Sequence, residues 1–189
     1  GMTATKNSVA TARLGAETVS DIAQQIVERV AFAQTDGVNR ADVQLEIDAL
    51  VENMGTAIEQ ATFNGDNLVD GTRMATSATP NAVTLVNGVK RDSSGFGTTT
   101  YTFDGVDLGA IKTAMEAINV ETSTDLAADL ATAEGELANS ITAATSLGIT
   151  ENALEGQMEF IDSLTDTLDS GVSSMVDADM EEEAARLQA

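Results

Sequence analysis

The sequence predicts a mainly α-helical protein, an elongated antiparallel helical bundle or coiled-coil rod with a small β-hairpin subregion in the middle. Three observations lead to this fold class. Apolar residues recur every three or four positions over most of the chain, which is the period of one helix face. A middle segment loses that period and is β-prone instead. Hydrophobic residues make up 42% of the chain but aromatic residues only 3%, a composition that suits thin helices better than a thick globule.

The first two predicted helices form a hairpin. The first covers residues 11–34, and its apolar stripe consists of Val19, Ile22, Ile26, Val30 and Ala33. Gly37 is placed to stop this helix in a left-handed conformation, and Asn39 can cap the next one. The stripe of the second helix consists of Val43, Ile47, Leu50, Met54, Ala57 and Ala61. Because the connecting turn is short, we expect the two helices to lie antiparallel.

The middle of the chain contains two short β-prone runs, at residues 82–89 and 98–103. Residues 90–95 separate them and read as a connecting loop, so this region is predicted to form a β-hairpin. The stretch around Pro80 has the least regular pattern. We expect residues 1–71 to form an N-terminal helical hairpin of a rod domain, residues 72–106 a β-hairpin or variable segment, and residues 107–189 the C-terminal helices of the same rod domain.

Helical periodicity returns after the hairpin and continues to the end of the chain. A short helix is predicted on the stripe Leu108, Ile111, Met115 and Ile118, with a break at residues 119–122. Ser123 or Thr124 can cap a longer helix whose stripe is Leu126, Leu130, Ala133, Leu137, Ile141 and Ala144. Gly148 is expected to end it. A final helix from about Thr150 has the stripe Leu154, Met158, Ile161, Leu164, Leu168, Val172, Val176, Met180, Ala184 and Leu187.

The composition argues against several classes of function. The chain has no histidine, cysteine or tryptophan, which removes Ser-His-Asp and Cys-His catalysis and the usual ligands of zinc. Its net charge of −22 opposes nucleic-acid binding, and no stretch approaches the length of a membrane span. We therefore expect no enzymatic activity and no catalytic, cofactor-binding or metal site. The acidic run at residues 177–183 is expected to be a solvated helix face, and Asn64, Asp66 and Asp70 to serve turns rather than calcium.

Several glycines lie inside the predicted helices, where each costs about 1 kcal/mol relative to alanine. They are Gly55, Gly135, Gly156 and Gly171. The simplest interpretation is close helix packing at these positions. A sharper hypothesis is that the glycines keep the chain easy to unfold for passage through a narrow export channel.

Three motifs carry a resemblance to a known family. Residues 44–50, QLEIDAL, lead through the same helix into ATFNGDNLVDG at residues 61–71, and near the other end stand LDSGV at 168–172 and VDADMEEE at 176–183. Residues 8–19, SVATARLGAETV, are similar to the start of a conserved helix. Together, in this order and on both sides of a variable middle, these motifs resemble bacterial flagellins of α-proteobacterial type. The resemblance covers residues 3–71 and 107–189.

The resemblance implies a structural subunit of the bacterial flagellar filament that self-assembles through helical rod packing and gives motility. The chain would correspond to an inner rod-domain fragment without the terminal polymerisation helices, and by itself would be a monomer. The implied partners are other flagellin subunits, hook-associated and cap proteins and a flagellar export chaperone. The implied location is the extracellular filament, reached without a cleaved signal peptide. Two alternatives stay open: a hook–filament junction (hook-associated) protein, and an unrelated secreted coiled-coil binding module.

Overall fold

The computed structural model describes residues 1–74 and 81–188, with side chains described as far as residue 182. Within these residues the mainly helical fold with one small antiparallel sheet is confirmed. The elements, in chain order, are α1 (Met2–Ala33), α2 (Arg40–Asn64), β1 (Val83–Asp92), β2 (Gly95–Phe103), α3 (Leu108–Glu116) and α4 (Leu126–Gln188). The irregular stretch around Pro80 and the stripe positions Ala184 and Leu187 lie outside the described residues or side chains.

Helices α1 and α2 lie antiparallel, as predicted from the short turn between them. Three pairs of neighbouring residues show this, because the number of one partner falls as the other rises: Ser8 with Asp66, Gly15 with Ala61, and Arg29 with Glu46. Helix α1 starts at Met2, earlier than the predicted residue 11, because its buried row of small residues continues backwards through Ala16, Ala12 and Val9. Sequence periodicity is hard to read there, since alanine and threonine mark neither face strongly.

The turn between α1 and α2 has the predicted chemistry. Gly37 has a φ of 80°, a left-handed conformation that glycine adopts without steric cost. The side chain of Asn39 caps α2, because its Oδ1 accepts hydrogen bonds from the backbone N–H groups of Ala41 (3.1 Å) and Asp42 (3.3 Å).

The buried row of α2 differs in part from the predicted stripe. Leu50 and Ala57 are only half-buried, whereas Val51 and Ile58 are buried in their place. Helix α2 contacts both α1 and α3, so its buried face is wider than a single seam and turns towards both neighbours. The predicted stripe followed one alternation of three and four residues and therefore missed the adjacent row.

The β-hairpin extends further than predicted. Lys90, Arg91 and Asp92 belong to β1 rather than to a loop, and only Ser93 and Ser94 separate the two strands. The carboxylate of Asp92 accepts a hydrogen bond from the Ser94 N–H (2.9 Å), and Gly95 follows with a φ of 116°. Charged side chains are compatible with these strands because residues 90–92 are exposed to solvent.

Helix α3 begins at Leu108, where its stripe predicted, but ends at Glu116, two residues before the last stripe position, Ile118. Asp107 caps it by accepting a hydrogen bond from the Ala110 N–H (3.0 Å), and Leu108, Ile111 and Met115 are buried. The predicted cap of α4 was wrong by one or two residues. Asp125 accepts from the Ala128 N–H (3.0 Å), while the hydroxyl of Ser123 accepts from the N–H of Asp125 itself. The cap is therefore the carboxylate directly before the helix, rather than one of the two hydroxyls that precede it.

Gly148 does not end a helix, so the prediction of two separate C-terminal helices was wrong. Helix α4 passes through it without a break. A single helical glycine costs only about 1 kcal/mol, and the Cδ of Arg13 lies at an ordinary contact distance, 3.6 Å, from where a Cβ would be. The low helix propensity of one glycine is therefore too small to end this helix.

The buried residues of α4 between 126 and 150 follow a heptad-like pattern: Leu126, Ala133, Ser140 and Leu147 lie seven positions apart, and Ala143 and Thr150 are buried beside them. The predicted stripe included Ile141, which is instead 51% exposed. Serine is a poor sequence marker for a buried position, but Ser140 satisfies its hydroxyl by donating to the Leu137 carbonyl (2.7 Å) and accepting from Ser20 of α1 (3.1 Å).

Contacts within the chain divide it into two units, Gly1–Asn152 and Ala153–Ala189. The first unit holds the hydrophobic core, in which the largest buried side chains include Ile26, Ile47, Met54, Leu108, Met115 and Leu147. The second unit is the C-terminal part of α4. None of the helices in the described residues is long and apolar enough to cross a membrane.

Candidate interaction surfaces

The carboxylates considered as calcium ligands serve the turn after α2. Asp66 accepts a hydrogen bond from the Ser8 hydroxyl of α1, and Asp70 accepts from the N–H (3.0 Å) and hydroxyl (2.6 Å) of Thr72. Asn64 donates to the carbonyl of Gln60 (2.9 Å). Throughout the described residues, no three Asp, Glu, His or Cys side chains are grouped so that they could hold a metal ion.

The segment 65–71, directly after α2, lies beside the residues that precede α3. Asp66 and Asn67 are both left-handed, with φ values of 53° and 60°, which reverses the chain directly after the helix. The backbone then pairs with the residues before α3: Val106 N–H donates to the Leu68 carbonyl (2.7 Å) and Leu108 N–H to the Val69 carbonyl (2.8 Å). The motif that carried the family resemblance is therefore a structural connector that fixes both ends of the hairpin insertion.

A shallow groove of about 400 Å³ lies between the start of α3 and α4. Its lining includes Asp107, Ala110, Glu136, Asn139 and Ala143. The Asp107 carboxylate already caps α3, so the groove does not aim a set of polar groups at one point. It resembles the depression between two packed helices more than a substrate pocket.

The main exposed apolar surface lies on the second unit. Between residues 160 and 180, Ile161 is half-buried, and the other seven large apolar side chains are 46–70% exposed: Phe160, Leu164, Leu168, Val172, Met175, Val176 and Met180. We call these seven residues the α4 stripe. The sequence predicted most of them as a packed seam, and within this chain they are not packed. Exposed apolar rows of this length are typical of interaction sites, because monomeric proteins rarely leave them in water.

The α4 stripe stands among acidic residues and no basic ones. Residues 153–182 contain nine carboxylates and neither lysine nor arginine: Glu155, Glu159, Asp162, Asp166, Asp169, Asp177, Asp179, Glu181 and Glu182. The acidic run from Asp177 to Glu182 is exposed to solvent, while the side chain of Glu183 lies outside the described ones. This segment therefore combines an apolar row with a strongly negative surface. A partner must cover the apolar row without bringing further negative charge to it.

Two polar contacts of the first unit hold its long-range packing, and the sequence pattern did not indicate either. Arg13 of α1 donates to Glu151 of α4 and to Glu17 (2.9 Å). The hydrogen bond with Glu151, and then that with Glu17, raises the pKa of Arg13 above its ordinary value, so its charge is permanent. The partners are 138 residues apart in sequence, and nothing local marks them as a pair.

The second contact is made by Gln44 of α2, which is buried. Its amide donates to Asp48 (2.8 Å) and to the Ile118 carbonyl (3.3 Å), and its Oε1 accepts from the Val120 N–H (2.8 Å). One side chain thus satisfies both a donor and an acceptor of the connector between α3 and α4. Sequence reasoning placed Gln44 in a motif but gave it no role.

Comparison with known proteins agrees with the motifs. Residues 130–189 match the family described as the bacterial flagellin C-terminal helical region. The chain is 27% identical to flagellin FljM of Caulobacter vibrioides over 97% of its own length, and 29% identical to a flagellin of Brucella melitensis over 92%. The crystal structure of Bacillus cereus flagellin matches with a TM-score of 0.64, covering 84% of this chain and 86% of that one, at 14% identity.

The chain matches only part of the length of these relatives. The chain spans 63% of the Caulobacter flagellin and 60% of the Brucella flagellin. The Bacillus structure, at its low identity, supports the fold alone. Taken together, these findings confirm the resemblance to flagellins of α-proteobacterial type.

Proposed function

We propose that this chain, a relative of the α-proteobacterial flagellins, is part of a structural subunit of the flagellar filament and self-assembles by helix packing. The observation that carries the proposal is the exposed α4 stripe. Burying one leucine-sized side chain contributes about 1.5–3 kcal/mol, so seven such residues on one helix favour a partner strongly. In a filament, helices of the same assembly would cover this row.

The proposed mechanism is mechanical rather than chemical. The first unit is a packed bundle that gives each subunit a defined surface, and the α4 stripe of the second unit adds an exposed apolar row. Contacts between different surfaces of successive copies do not close on themselves and therefore generate a helical filament. The charge of −22 separates free subunits, so assembly requires apolar burial large enough to overcome that repulsion.

The same proposal includes partners, location and the absence of catalysis. Other flagellin subunits are the main partners, with hook-associated and cap proteins and an export chaperone as further ones, and the filament lies outside the cell after export without a cleaved signal peptide. We propose no enzymatic activity, since the residue types for the commonest catalytic sites are missing from the sequence. We also propose the domain organisation expected from the sequence, with one rod domain formed by residues 1–71 and 107–189 around a variable segment at 72–106.

Neither alternative function has an observation in its favour. A hook–filament junction role accounts for the helices equally well, but the curated relatives described above are flagellins. An unrelated secreted coiled-coil module does not explain why residues 130–189 match a flagellin family.

The experiment that tests the proposal places charges on the α4 stripe. A bacterium whose gene for this chain carries Leu168→Glu and Val172→Glu is expected to form no filaments with this subunit, as seen by electron microscopy with an antibody to the chain. The reason is that two carboxylates in a buried seam are unpaired and costly.

The matched control adds the same two charges on the other side of the helix, with Ser170→Glu and Ser174→Glu. Successive residues turn by about 100° along a helix, so these serines face away from the stripe. The control is expected to assemble. Normal filaments from the stripe variant, or equal loss of filaments from both variants, would contradict the proposal.

A further inference from the structure

The two faces of the β-hairpin differ sharply. Directly paired residues of antiparallel strands point to the same face, and successive residues alternate. One irregularity, between Val86 and Gly88, shifts this alternation by one residue. The register then places eight residues on one face: Thr84, Val86, Val89, Arg91, Phe96, Thr98, Thr100 and Thr102. We call them the hairpin outer face, and all eight are exposed.

The opposite face is shielded only at the base of the hairpin. There it carries Val83, Leu85, Tyr101 and Phe103, of which Phe103 is only 6% exposed, whereas Lys90 and Asp92 near the turn are exposed. The rings of Tyr101 and Phe103 stack with their centroids 6.0 Å apart. The hairpin is therefore shielded at its base, and the outer face is a separate surface that is exposed along its whole length.

The outer face combines three large apolar side chains with four threonines and one arginine. Val86, Val89 and Phe96 are 61%, 74% and 81% exposed. Its one charged member is Arg91, whose guanidinium carbon lies 5.6 Å from the centre of the Phe96 ring. An isolated two-stranded hairpin is only marginally stable in water, and a β-branched face is the kind that gains by packing against a second layer. This face is accordingly suited to a partner with apolar contacts and negative charge.

A surface with those properties lies on α2 of the same unit. Seven residues at helical spacing form one exposed face: Leu45, Asp48, Ala49, Glu52, Thr56, Glu59 and Phe63. We call them the α2 outer face. Leu45 and Phe63, at its two ends, are 67% and 88% exposed. Between them stand three carboxylates and no basic residue.

The two faces also agree in length. Strand β1 spans about 30 Å at roughly 3.3 Å per residue, and the α2 outer face spans about 27 Å at roughly 1.5 Å per residue. A helix lying on one face of a sheet is a common way to bury two apolar surfaces. Arg91 then faces a row that contains Glu52 and Glu59, so the charges are complementary along the contact.

We propose that the hairpin outer face of one copy of this chain packs on the α2 outer face of a second copy. Both faces belong to Gly1–Asn152 and both are exposed there, so they do not cover each other within one chain. The contact joins two different surfaces and leaves one of each free, so it repeats from copy to copy without closing. This inference rests on the proposed function and adds to it a specific pair of subunit surfaces.

The absence of cysteine from the sequence allows a site-specific test. A nitroxide spin label is attached to Val89→Cys, and this chain is mixed at millimolar concentration with an isotope-labelled chain that has no spin label. Only contacts between copies then broaden the amide signals of the second chain. The amides of the α2 outer face are expected to lose at least half of their intensity. Thr98→Cys is a second label position on the same face, for use if Val89→Cys disturbs the fold.

Two charge variants of the spin-labelled chain separate this contact from general attraction. Arg91→Glu is expected to weaken the association about five- to tenfold, because Arg91 faces carboxylates. Lys90→Glu makes the same change of charge at the neighbouring residue, whose side chain lies on the opposite face of the strand, and is expected to alter the association less than about twofold. Glu52→Arg in the second chain is expected to restore binding of the Arg91→Glu copy.

Three results would overturn this contact: no broadening between copies, broadening centred on the hairpin of the second copy, or equal effects of Arg91→Glu and Lys90→Glu. These outcomes are independent of the filament experiment on the α4 stripe. Filaments that contain this chain but show no such contact would leave the proposed function standing and remove this pair of surfaces. Contact between copies of a chain that never enters filaments would do the reverse.

Discussion

Two parts of this chain have the same apolar spacing and opposite environments. In Gly1–Asn152, stripe residues such as Val19, Ile26 and Ile47 are fully buried. Between residues 160 and 180, residues of the same type at the same spacing are about half exposed or more. Helical periodicity therefore shows that a row of side chains is suited to burial. It does not show whether the residues that bury the row belong to the same chain or to another one. The second region indicates a surface for another helix.

The largest contrast between the regions is expected for large-to-small substitutions. Ile47→Ala should lower the free energy of unfolding by about 3 kcal/mol, because it removes buried methyl groups and leaves a cavity. Leu168→Ala, on the α4 stripe, should change it by less than about 0.5 kcal/mol in the free chain. Urea denaturation followed by circular dichroism measures both. Similar losses from the two variants would show that the stripe is already packed in the free chain.

A second test concerns the polar part of the packed region. Gln44→Glu should cost about 2–3 kcal/mol, because a carboxylate oxygen would then face the Ile118 carbonyl in place of an N–H donor. Gln60→Glu makes the same change at an exposed position of the same helix and should cost less than about 0.5 kcal/mol. Chemical denaturation of the two variants measures the difference. Equal losses of unfolding free energy would mean that the amide of Gln44 does not hold the α3–α4 connector.

Replacing a helical glycine by alanine should change the free energy of unfolding in opposite directions in the two regions. At Gly15 an added Cβ would collide with the Cβ of Ala61, so Gly15→Ala should destabilise the chain by about 1–2 kcal/mol despite the better helix propensity of alanine. At Gly156 nothing lies within 4 Å of the added atom, so Gly156→Ala should stabilise its helix by up to about 1 kcal/mol. Thermal unfolding of each variant against the parent gives both signs.

These glycines also correct the interpretation made from the sequence. Of the four helical glycines considered there, Gly55 is in close contact, since a Cβ would come 3.0 Å from the Cε of Lys112. Gly135, Gly156 and Gly171 have open space around them, so close packing does not explain them. The export hypothesis stays a prediction: alanine at these three positions should slow unfolding, and unchanged unfolding rates in stopped-flow measurements would remove its support.

Removing the ion pairs should have small effects that depend on how exposed each pair is. Arg13→Met should cost about 1–2 kcal/mol, because Arg13 and Glu151 are largely shielded and join α1 to α4. Arg29→Met, which breaks the more exposed pair with Glu46, should cost less than about 1 kcal/mol.

The pH dependence of this difference follows from the raised pKa of Arg13. A base whose pKa is raised by folding stabilises the fold below its unfolded pKa and loses that contribution only as the pH rises through the folded value. The Arg13→Met effect should therefore be constant between about pH 6 and pH 10. A steady decline of the effect over this range, in denaturation curves at several pH values, would contradict a permanently charged Arg13.

The helices and the hairpin could be predicted from local patterns, because capping, turn residues and periodicity act over a few positions. Asn39 and Asp107 are side-chain caps at or next to the predicted helix starts, and Gly37 has the predicted left-handed turn. What could not be predicted depends on residues far apart in sequence. Arg13 of α1 contacts α4 beside Gly148, and the buried hydroxyl of Ser140 accepts a hydrogen bond from Ser20, which is 120 residues away in sequence.

The interaction surfaces were predictable only in part. The acidic run and the apolar stripe of residues 153–182 are visible in the sequence, but their exposure is not. The hairpin outer face could not be predicted from the sequence, because the register irregularity beside Val86 decides which side chains share a face with Val89. A shift of one residue in that pairing would have placed Val89 on the inner side.

The most direct test of the central claim is hydrogen exchange of the backbone amides in residues 160–182, compared between the free chain and filaments that contain it. A helix segment without packing partners opens readily, so these amides should exchange far faster in the free chain than those of residues 126–150. In filaments the same amides should become strongly protected as the α4 stripe is covered. Exchange that is equally fast in both states, or already slow in the free chain, would contradict the claim that this row of side chains is an assembly surface.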